Sequence, residues 1–442
     1  MNHDVSNIKG KRVAFFTLGC KFNSYETEGM RELFLKAGAQ ETEFEKEADI
    51  YIVNTCSVTN MADRKSRQML HRAKKKNPEA LIVAAGCYAQ AAGEKLSEQE
   101  GIDLVVGNNQ KARIVELAAA ALEQREACRL ALLDIGKEKE YEELPIETVT
   151  ERTRAYIKIE DGCNQFCSYC IIPFARGRVR SRKLEDVKNE VQKLAENGFK
   201  EVVLTGIHLS SYGVDTGDNL LHLIEEVHEI EGIERIRLGS LEPRIVTEEF
   251  ASALSKLEKI CPHFHLSLQS GCDATLERMN RRYNTAEYQK GCEILRTYFE
   301  HPAITTDVIV GFPGETEEEF AITKQYLEEI HFYEMHIFPY SKREGTKAAV
   351  MKDQIPEQIK KERSATLLAL EQKMSEEFRE YYIGKEVTVL MEEKWEYQGE
   401  SYYIGYTKEY VKAAVKTKED LTNRFVNGKI EKHLTENLYL MG

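Results

Sequence analysis

Apolar residues fall in short continuous runs over roughly the first 125 positions, at 13–18, 50–53, 81–85 and 104–106. Runs this short, without alternation, predict strands buried on both faces. The mixed polar and apolar stretches that follow them predict helices from about Asn23, Asn60, Gln90 and Asn109. Asn23 and Glu26 carry the spacing of a helix start. Strands that alternate with helices predict a parallel sheet covered on both sides. An acidic, polar stretch over 126–150 then reads as a linker.

From 151 the alternation restarts, with strands expected at 155–160, 201–205, 235–238, 264–268, 304–310 and 334–338. Helices fall between them, as at 184–197 and 317–330, the latter opened by a capping box of Thr316 and Glu319. Six βα units are too few for a closed eight-stranded barrel. An open, partial (β/α)6 barrel is expected over 151–375, its active face at the carboxyl ends of its strands. Leu367, Leu370, Met374 and Phe378 then repeat at helical spacing over 357–379, a stripe that reads as packing surface. Beyond it, runs rich in Val, Ile and Tyr at 387–391, 402–406, 410–415 and 424–430 predict a small all-β barrel within 376–442. Asn427-Gly428 reads there as a hairpin-type turn. The fold class is thus α/β, with a parallel-sheet domain over 1–125, the partial barrel and a small β-barrel.

No run is long enough to cross a bilayer, and the first residues lack the apolar core of a leader, so the sequence predicts a soluble, cytoplasmic chain with no membrane partner. In that compartment, 10 cysteines are expected as metal ligands or buried thiols rather than disulfides. A net charge of −13 confines any nucleic-acid contact to local basic patches.

Three cysteines, Cys163, Cys167 and Cys170, sit within eight residues at C-x₃-C-x₂-C spacing, with Tyr169 just before the last. Soft thiolates favour zinc or iron–sulfur clusters, and three ligands on a four-iron cluster leave one iron open to a small molecule. A zinc knuckle completed from a distance, or three unrelated buried thiols, are the alternatives. A second set, Cys20, Cys56 and Cys87, follows three predicted strands by one to three residues each. Such positions share one edge of a parallel sheet, where these folds place ligands. Small cysteines that simply pack at strand ends are the competing reading. Gly19 and Gly86 there would let the backbone approach a cluster closely.

Tyr169 and the strand-end residues of the partial barrel, Gly206, Ser240, Glu242, Gln269, Asp307 and Gly311, are candidates for holding a cofactor, although Gly311 and Gly314 also suit a plain tight turn. Two basic clusters are candidates for phosphate. Arg64, Lys65, Arg67, Arg72 and Lys74 to Lys76 crowd one helix, and Arg176, Arg178, Arg180, Arg182 and Lys183 follow the cysteine loop. A solvated face is the plainer reading for Lys74 to Lys76. No catalytic side chain emerges beyond the cluster ligands. A non-catalytic iron–sulfur or zinc protein that binds RNA stays open at this point.

The cysteine spacing resembles the signature of radical S-adenosylmethionine (SAM) enzymes. With Thr17-Leu-Gly-Cys-Lys-Phe-Asn, Asn54-Thr-Cys-Ser-Val-Thr and Ala85-Gly-Cys-Tyr-Ala-Gln before it, and His336-Ile-Phe-Pro-Tyr-Ser after it, nearly the whole chain resembles the methylthiotransferase family. The resemblance implies two 4Fe-4S clusters, one on each cysteine triplet, and SAM as cofactor. Reduction of SAM at the open iron of the Cys163–Cys170 cluster would give a 5′-deoxyadenosyl radical, and the Cys20/Cys56/Cys87 cluster would hold the sulfur. Cys128, Cys261, Cys272 and Cys292 match no ligand position. The Thr-Gly-Ile at 205–207 departs from the Gly-Gly-Glu often found in such enzymes to hold the methionyl amine. The terminal barrel resembles a TRAM module, associated with RNA binding. The Gly19-Cys-Lys-Phe-Asn variant most resembles the branch that acts on threonylcarbamoyladenosine beside the tRNA anticodon; other branches act on isopentenyladenosine or on a ribosomal protein. Lys21 is then a candidate for the substituent's carboxylate, or a counter-charge to the cluster. The expected partners are a tRNA anticodon stem-loop, a reductant such as flavodoxin or ferredoxin, and a sulfur donor of unknown identity.

Overall fold

A computed structural model describes residues 5–99, 101–124, 129–144, 146 and 153–442. Its N-terminal part is one parallel sheet in the order β2-β1-β3-β4-β5-β6. These strands are β1 (Arg12–Thr17), β2 (Gln40–Glu41), β3 (Ile50–Thr55), β4 (Leu81–Gly86), β5 (Leu104–Val106) and β6 (Arg129–Ala131). Continuous apolar strands arise because both faces are covered. Tyr51, Val53, Ile82 and Ala84 enter one core, while Ile50, Ile52, Leu81 and Val83 enter the other. The sequence did not announce β2, which is two exposed polar residues, or β6. β6 also corrects the linker reading. It completes the sheet, and Ile135, Leu144 and Ile146 beyond it are buried. Glu143 takes Arg182, and the Tyr141 hydroxyl donates to the Lys158 carbonyl. The described residues of the stretch thus touch both the sheet and the half-barrel.

The helix expected from Asn60 starts there, whereas the start of the first is corrected. The first helix, Lys21–Lys36, is capped by Cys20, and Asn23 and Glu26 lie inside it, fully buried. Asn23 donates to the carbonyls of Leu18 and Thr55, tying the helix to two strand ends. The expected capping box at Thr316 and Glu319 is present at the helix Glu317–Ile330.

The middle of the chain supplies β7 (Arg154–Asp161), β8 (Arg180–Ser181), β9 (Glu201–Gly206), β10 (Arg235–Leu238), β11 (His263–His265), β12 (Ala303–Val310) and β13 (Glu334–Pro339). Omitting the short antiparallel β8, six parallel strands follow in chain order, with bridges from Ile236 to Ile260 and from Leu241 to Leu266 joining the two half-sheets. The partial barrel is therefore present. Its outward side chains, such as Ile157, Val202, Leu204, Ile236 and Val308, pack in a core beneath the helices. Because side chains alternate along a strand, the opposite register, Arg154, Tyr156, Lys158 and Glu160, then Glu201, Arg237, His265, Asp307 and His336, faces the lumen. That lumen is polar.

The terminal part is a closed barrel, β14-β15-β16-β18-β17, formed by β14 (Glu386–Tyr397), β15 (Glu400–Tyr406), β16 (Lys412–Lys416), β17 (Phe425–Thr435) and β18 (Leu438–Met441). Asn427-Gly428 is not a turn: both residues lie inside β17, paired with Thr388 and Val387. The tight turn is instead Gln398-Gly399, both at positive φ, between β14 and β15. Tyr406, at the end of β15, and Tyr410 beyond it cover part of the base of the half-barrel. Arg154 lies over the rings of Tyr406 and Tyr410 at 5.0 and 4.9 Å. Arg235 donates to the carbonyls of Tyr406 and Thr388, and Arg237 to that of Lys408. No helix of the described residues is long and apolar enough to cross a membrane.

Candidate active site between two cysteine loops

Cys20, Cys56 and Cys87 converge at the carboxyl edge of the N-terminal sheet. Gly19 stands at φ 103°, and a Cβ there would fall 2.7 Å from the Cys56 sulfur, so the bend that brings the Cys20 and Cys56 loops together requires glycine. Gly86 presses instead on Asn54 and Thr55, the neighbouring strand end. Burial raises the Cys20 thiol and pushes Cys56 up to about 11. Opposite them, burial pushes Cys163 and Cys170 up to about 12. Such thiols ionise when a cation takes them as ligands, since metal binding displaces the proton.

Compensating charge is already built in. Arg176, on the short helix after the second cysteine loop, is fully buried and donates from Nε to the Cys87 sulfur at 3.2 Å. Its other nitrogens reach Glu26, Asp161 and Asn23. Lys111 and Lys158 join Glu26, and Lys158 and Arg180 join Asp161. Burial alone would raise the Glu26 carboxyl, but Arg176, Lys111 and Lys158 hold it well below its usual range. Four cations thus face two carboxylates beside Cys87, a surplus suited to a thiolate-ligated cluster. Around the other triplet, Arg281 donates to the Cys167 sulfur at 3.2 Å and to the Ser267 carbonyl.

The two loops meet across a cavity of about 280 Å³, reached by Val58 and Thr59 from one side and by Tyr169, Gln269 and Asp307 from the other. Arg343 fixes the seam: it donates to Ser57, Asn60 and Asp63 at 2.6 to 3.0 Å, next to Cys56. Arg176 and Arg343 thus pin one N-terminal cysteine loop each to the half-barrel. Neither contact was visible in the sequence, because each spans many residues of chain.

Among the cofactor candidates, Tyr169 packs edge-on against Phe312, Gln269 holds a left-handed backbone beside β12, and Glu242 is engaged by Arg244. Ser240 is exposed at its strand end. Gly311 is the turn residue of the plainer reading, its N–H held by Glu315 and its open side filled by Lys360. Gly206 lies against Glu160, whose carboxyl is fully buried and pushed well above its usual range by that burial. Glu160 Oε2 accepts from the His208 N–H at 2.8 Å, and Oε1 has no partner among the described residues. A carboxyl therefore reaches the Thr-Gly-Ile strand end from the neighbouring strand.

The basic candidates divide. Arg64 and Arg178 are exposed, Arg178 lying over the Phe166 ring at 4.4 Å. Arg67 is half-buried and donates to the Tyr88 hydroxyl at 2.7 Å. Arg180 is corrected: it is fully buried, turned to Asp161 and to the carbonyls of Arg176 and Arg178, and has no surface to offer a phosphate. Arg176 and Arg182 are internal too. Lys74 and Lys76 pair with Asp103 and Glu45, a solvated face. Lys21 stands over the lumen-facing Tyr156 ring at 5.5 Å. Cys261, Cys272 and Cys292 are buried, and Cys128 lies outside the described residues.

Residues 157–327 match the radical SAM superfamily, and residues 12–107 match uncharacterized protein family UPF0004. The threonylcarbamoyladenosine tRNA methylthiotransferase MtaB of Bacillus subtilis (strain 168) is 43% identical over 423 residues, which cover 95% of this chain and 94% of that protein. The chain belongs to the methylthiotransferase family. The MtaB of Aquifex aeolicus is 45% identical over 87% of this chain and 93% of its own length. A tRNA-2-methylthio-N(6)-dimethylallyladenosine synthase of Acetivibrio thermocellus is 36% identical over 88% of this chain and 82% of its own. Among solved structures, the radical SAM methyltransferase TsrM of Kitasatospora setae shares the fold with a TM-score of 0.58 at 14% identity, over 77% of this chain and 74% of that one. For this family member the fold class is as the sequence predicts.

Proposed function

We propose that this methylthiotransferase adds a methylthio group to carbon 2 of N6-threonylcarbamoyladenosine next to the anticodon of tRNA. The observation that carries the proposal is one cavity lined both by Val58 and Thr59, just after Cys56, and by Tyr169, between Cys167 and Cys170, in a chain 43% identical to a relative of that name. Carbon 2 of adenine has neither a leaving group nor useful acidity, so side chains cannot open its C–H bond. When bound, two 4Fe-4S clusters and SAM supply the radical that takes this hydrogen and the methylated sulfur that replaces it.

The chain's own residues do the rest. Cys163, Cys167 and Cys170 would ligate one cluster beside Arg281; Cys20, Cys56 and Cys87 would ligate the other beside Arg176. Tyr169, Gly206, Gln269, Glu242 and the buried Glu160 surround the space where SAM would lie. Arg176 and Arg343 tie the N-terminal cysteine loops to the half-barrel, and Tyr406 and Tyr410 cover part of its base. Arg64 and Arg178 are the exposed cations that would meet RNA phosphates, and an anticodon-loop base enters without a duplex being opened. The electron would come from a small redox protein of the flavodoxin or ferredoxin kind.

Mass spectrometry of tRNA nucleosides from cells with and without the protein tests the reading. The 2-methylthio form of threonylcarbamoyladenosine should vanish with the gene. Loss of the methylthio group from dimethylallyladenosine alone would replace the substrate and leave the chemistry standing.

A further inference from the structure

Three neighbouring strands of the half-barrel place a polar cluster in the lumen. His265 on β11, Asp307 on β12 and His336 on β13 bring their donor atoms within 4.8 Å of one another. His265 is fixed at both nitrogens, with Nδ1 at 3.0 Å from the Thr305 hydroxyl and Nε2 at 3.3 Å from the Asp307 carboxylate. His336 lies roughly parallel to the His265 ring, centroids 5.7 Å apart, and its own edge is exposed. Asp307 also lines the cavity shared with the Cys56 loop and Tyr169. Lys21 enters the same lumen over Tyr156, where the charges of Arg154, Arg237 and Glu201 act on its ammonium.

An apolar side group entering here would strip water from an imidazole, a carboxylate and an ammonium and give nothing back. A group bearing both a carboxylate and hydrogen-bond donors satisfies all three. Resting on the function proposed above, we infer that His336, Asp307 and Lys21 form the subsite for the threonyl arm of the N6 substituent. His336 and Lys21 face its carboxylate, and Asp307, held by His265, accepts from its hydroxyl or amide N–H. The subsite thus sets the choice between a threonylcarbamoyl and a dimethylallyl adenosine. A site built to bond polar groups rejects an analogue lacking them by far larger factors than a missing methylene produces.

The test uses the full-length protein and two anticodon stem-loops, identical except that one carries threonylcarbamoyladenosine and the other plain adenosine. The wild type should bind the modified stem-loop about tenfold or more tightly. His336→Leu should lose that increment while keeping its affinity for the plain stem-loop, its iron content and SAM cleavage, and His336→Gln should recover part of it. Lys21→Met should lose it in the same way. If the wild type shows the increment and His336→Leu and Lys21→Met keep it, the subsite is wrong although the substrate stands. If the wild type shows none and modifies only dimethylallyl tRNA, the substrate reading itself fails. Retention of one divalent ion by protein lacking all six cluster cysteines, lost on His336→Leu, would overturn the subsite in favour of a metal site.

Discussion

The Nε of Arg176 stands 3.2 Å from the sulfur of Cys87, 89 residues away in the chain, and ties the half-barrel to the sheet edge where three cysteines converge. The same guanidinium neutralises Glu26 and Asp161. Arg176→Met would leave both carboxylates buried with fewer partners, at a cost of about 3–5 kcal/mol. Thermal unfolding should show that loss. In protein that remains folded, iron should fall at the N-terminal triplet while SAM cleavage persists. Full methylthiolation in the variant would refute the assigned role.

Ligand replacements should separate the two cysteine sets. Alanine at Cys163, Cys167 and Cys170 should abolish SAM cleavage and leave about half of the iron. Alanine at Cys20, Cys56 and Cys87 should preserve SAM cleavage and abolish methylthiolation. Iron analysis of anaerobically purified protein checks both, and full iron in the second variant would remove the N-terminal cluster.

Glu160 should tolerate loss of its charge but not of its hydrogen bonds, because its burial favours the neutral carboxyl. Glu160→Gln should keep SAM affinity within a few-fold, whereas Glu160→Ala should weaken it roughly tenfold. Equal affinities in calorimetry would place Glu160 outside the cofactor site.

His208 supplies a pH test of stability. Burial, with Arg281 and Arg244 nearby, pushes its imidazole from 6.5 down to about 4. The unfolded chain therefore takes up this proton first. The contribution is intact above about pH 6.5, declines as pH falls toward 4, and changes no further below that. Wild-type unfolding temperature should drop between pH 7 and 5 more steeply than that of His208→Asn. Parallel curves would mean that His208 titrates normally.

Charge reversal at Arg64 and Arg178 should weaken tRNA binding and flatten its salt dependence by about one unit of slope per lost phosphate contact. Reversal at Arg180 should instead unfold the protein, since it places a third carboxylate beside Asp161. Filter binding across a salt series, with circular dichroism of each variant, distinguishes the two outcomes.

Strand ends made much of this architecture legible. Cys20, Cys56 and Cys87 each follow a continuous apolar run, and parallel topology then puts them on one edge. The lumen was harder to see, although its code lies in the open: Arg154-Ala-Tyr-Ile-Lys-Ile-Glu and Arg235-Ile-Arg-Leu alternate strictly between polar and apolar. Arg176, Arg281 and Arg343 were illegible for another reason. A guanidinium reaching a cysteine or serine far along the chain leaves no periodicity behind. Arginines beside a cysteine loop read equally well as phosphate ligands until burial separates Arg180 from Arg178. Asn427-Gly428 misled because turn chemistry outweighed the strand around it, while Gln398-Gly399 carried the bend.

Tyr406 and Tyr410 make the terminal barrel a stopper as well as an appendage. Arg154, Arg235 and Arg237 sit on the half-barrel side of that joint, and the rings and carbonyls they engage belong to the other side. An exchange of terminal barrels between relatives would therefore have to carry both halves of the joint. A chimera that keeps these three arginines but brings foreign loops should leak solvent into the reaction chamber from below. Its symptom would be SAM consumed without product, in a protein whose clusters and RNA affinity are unchanged.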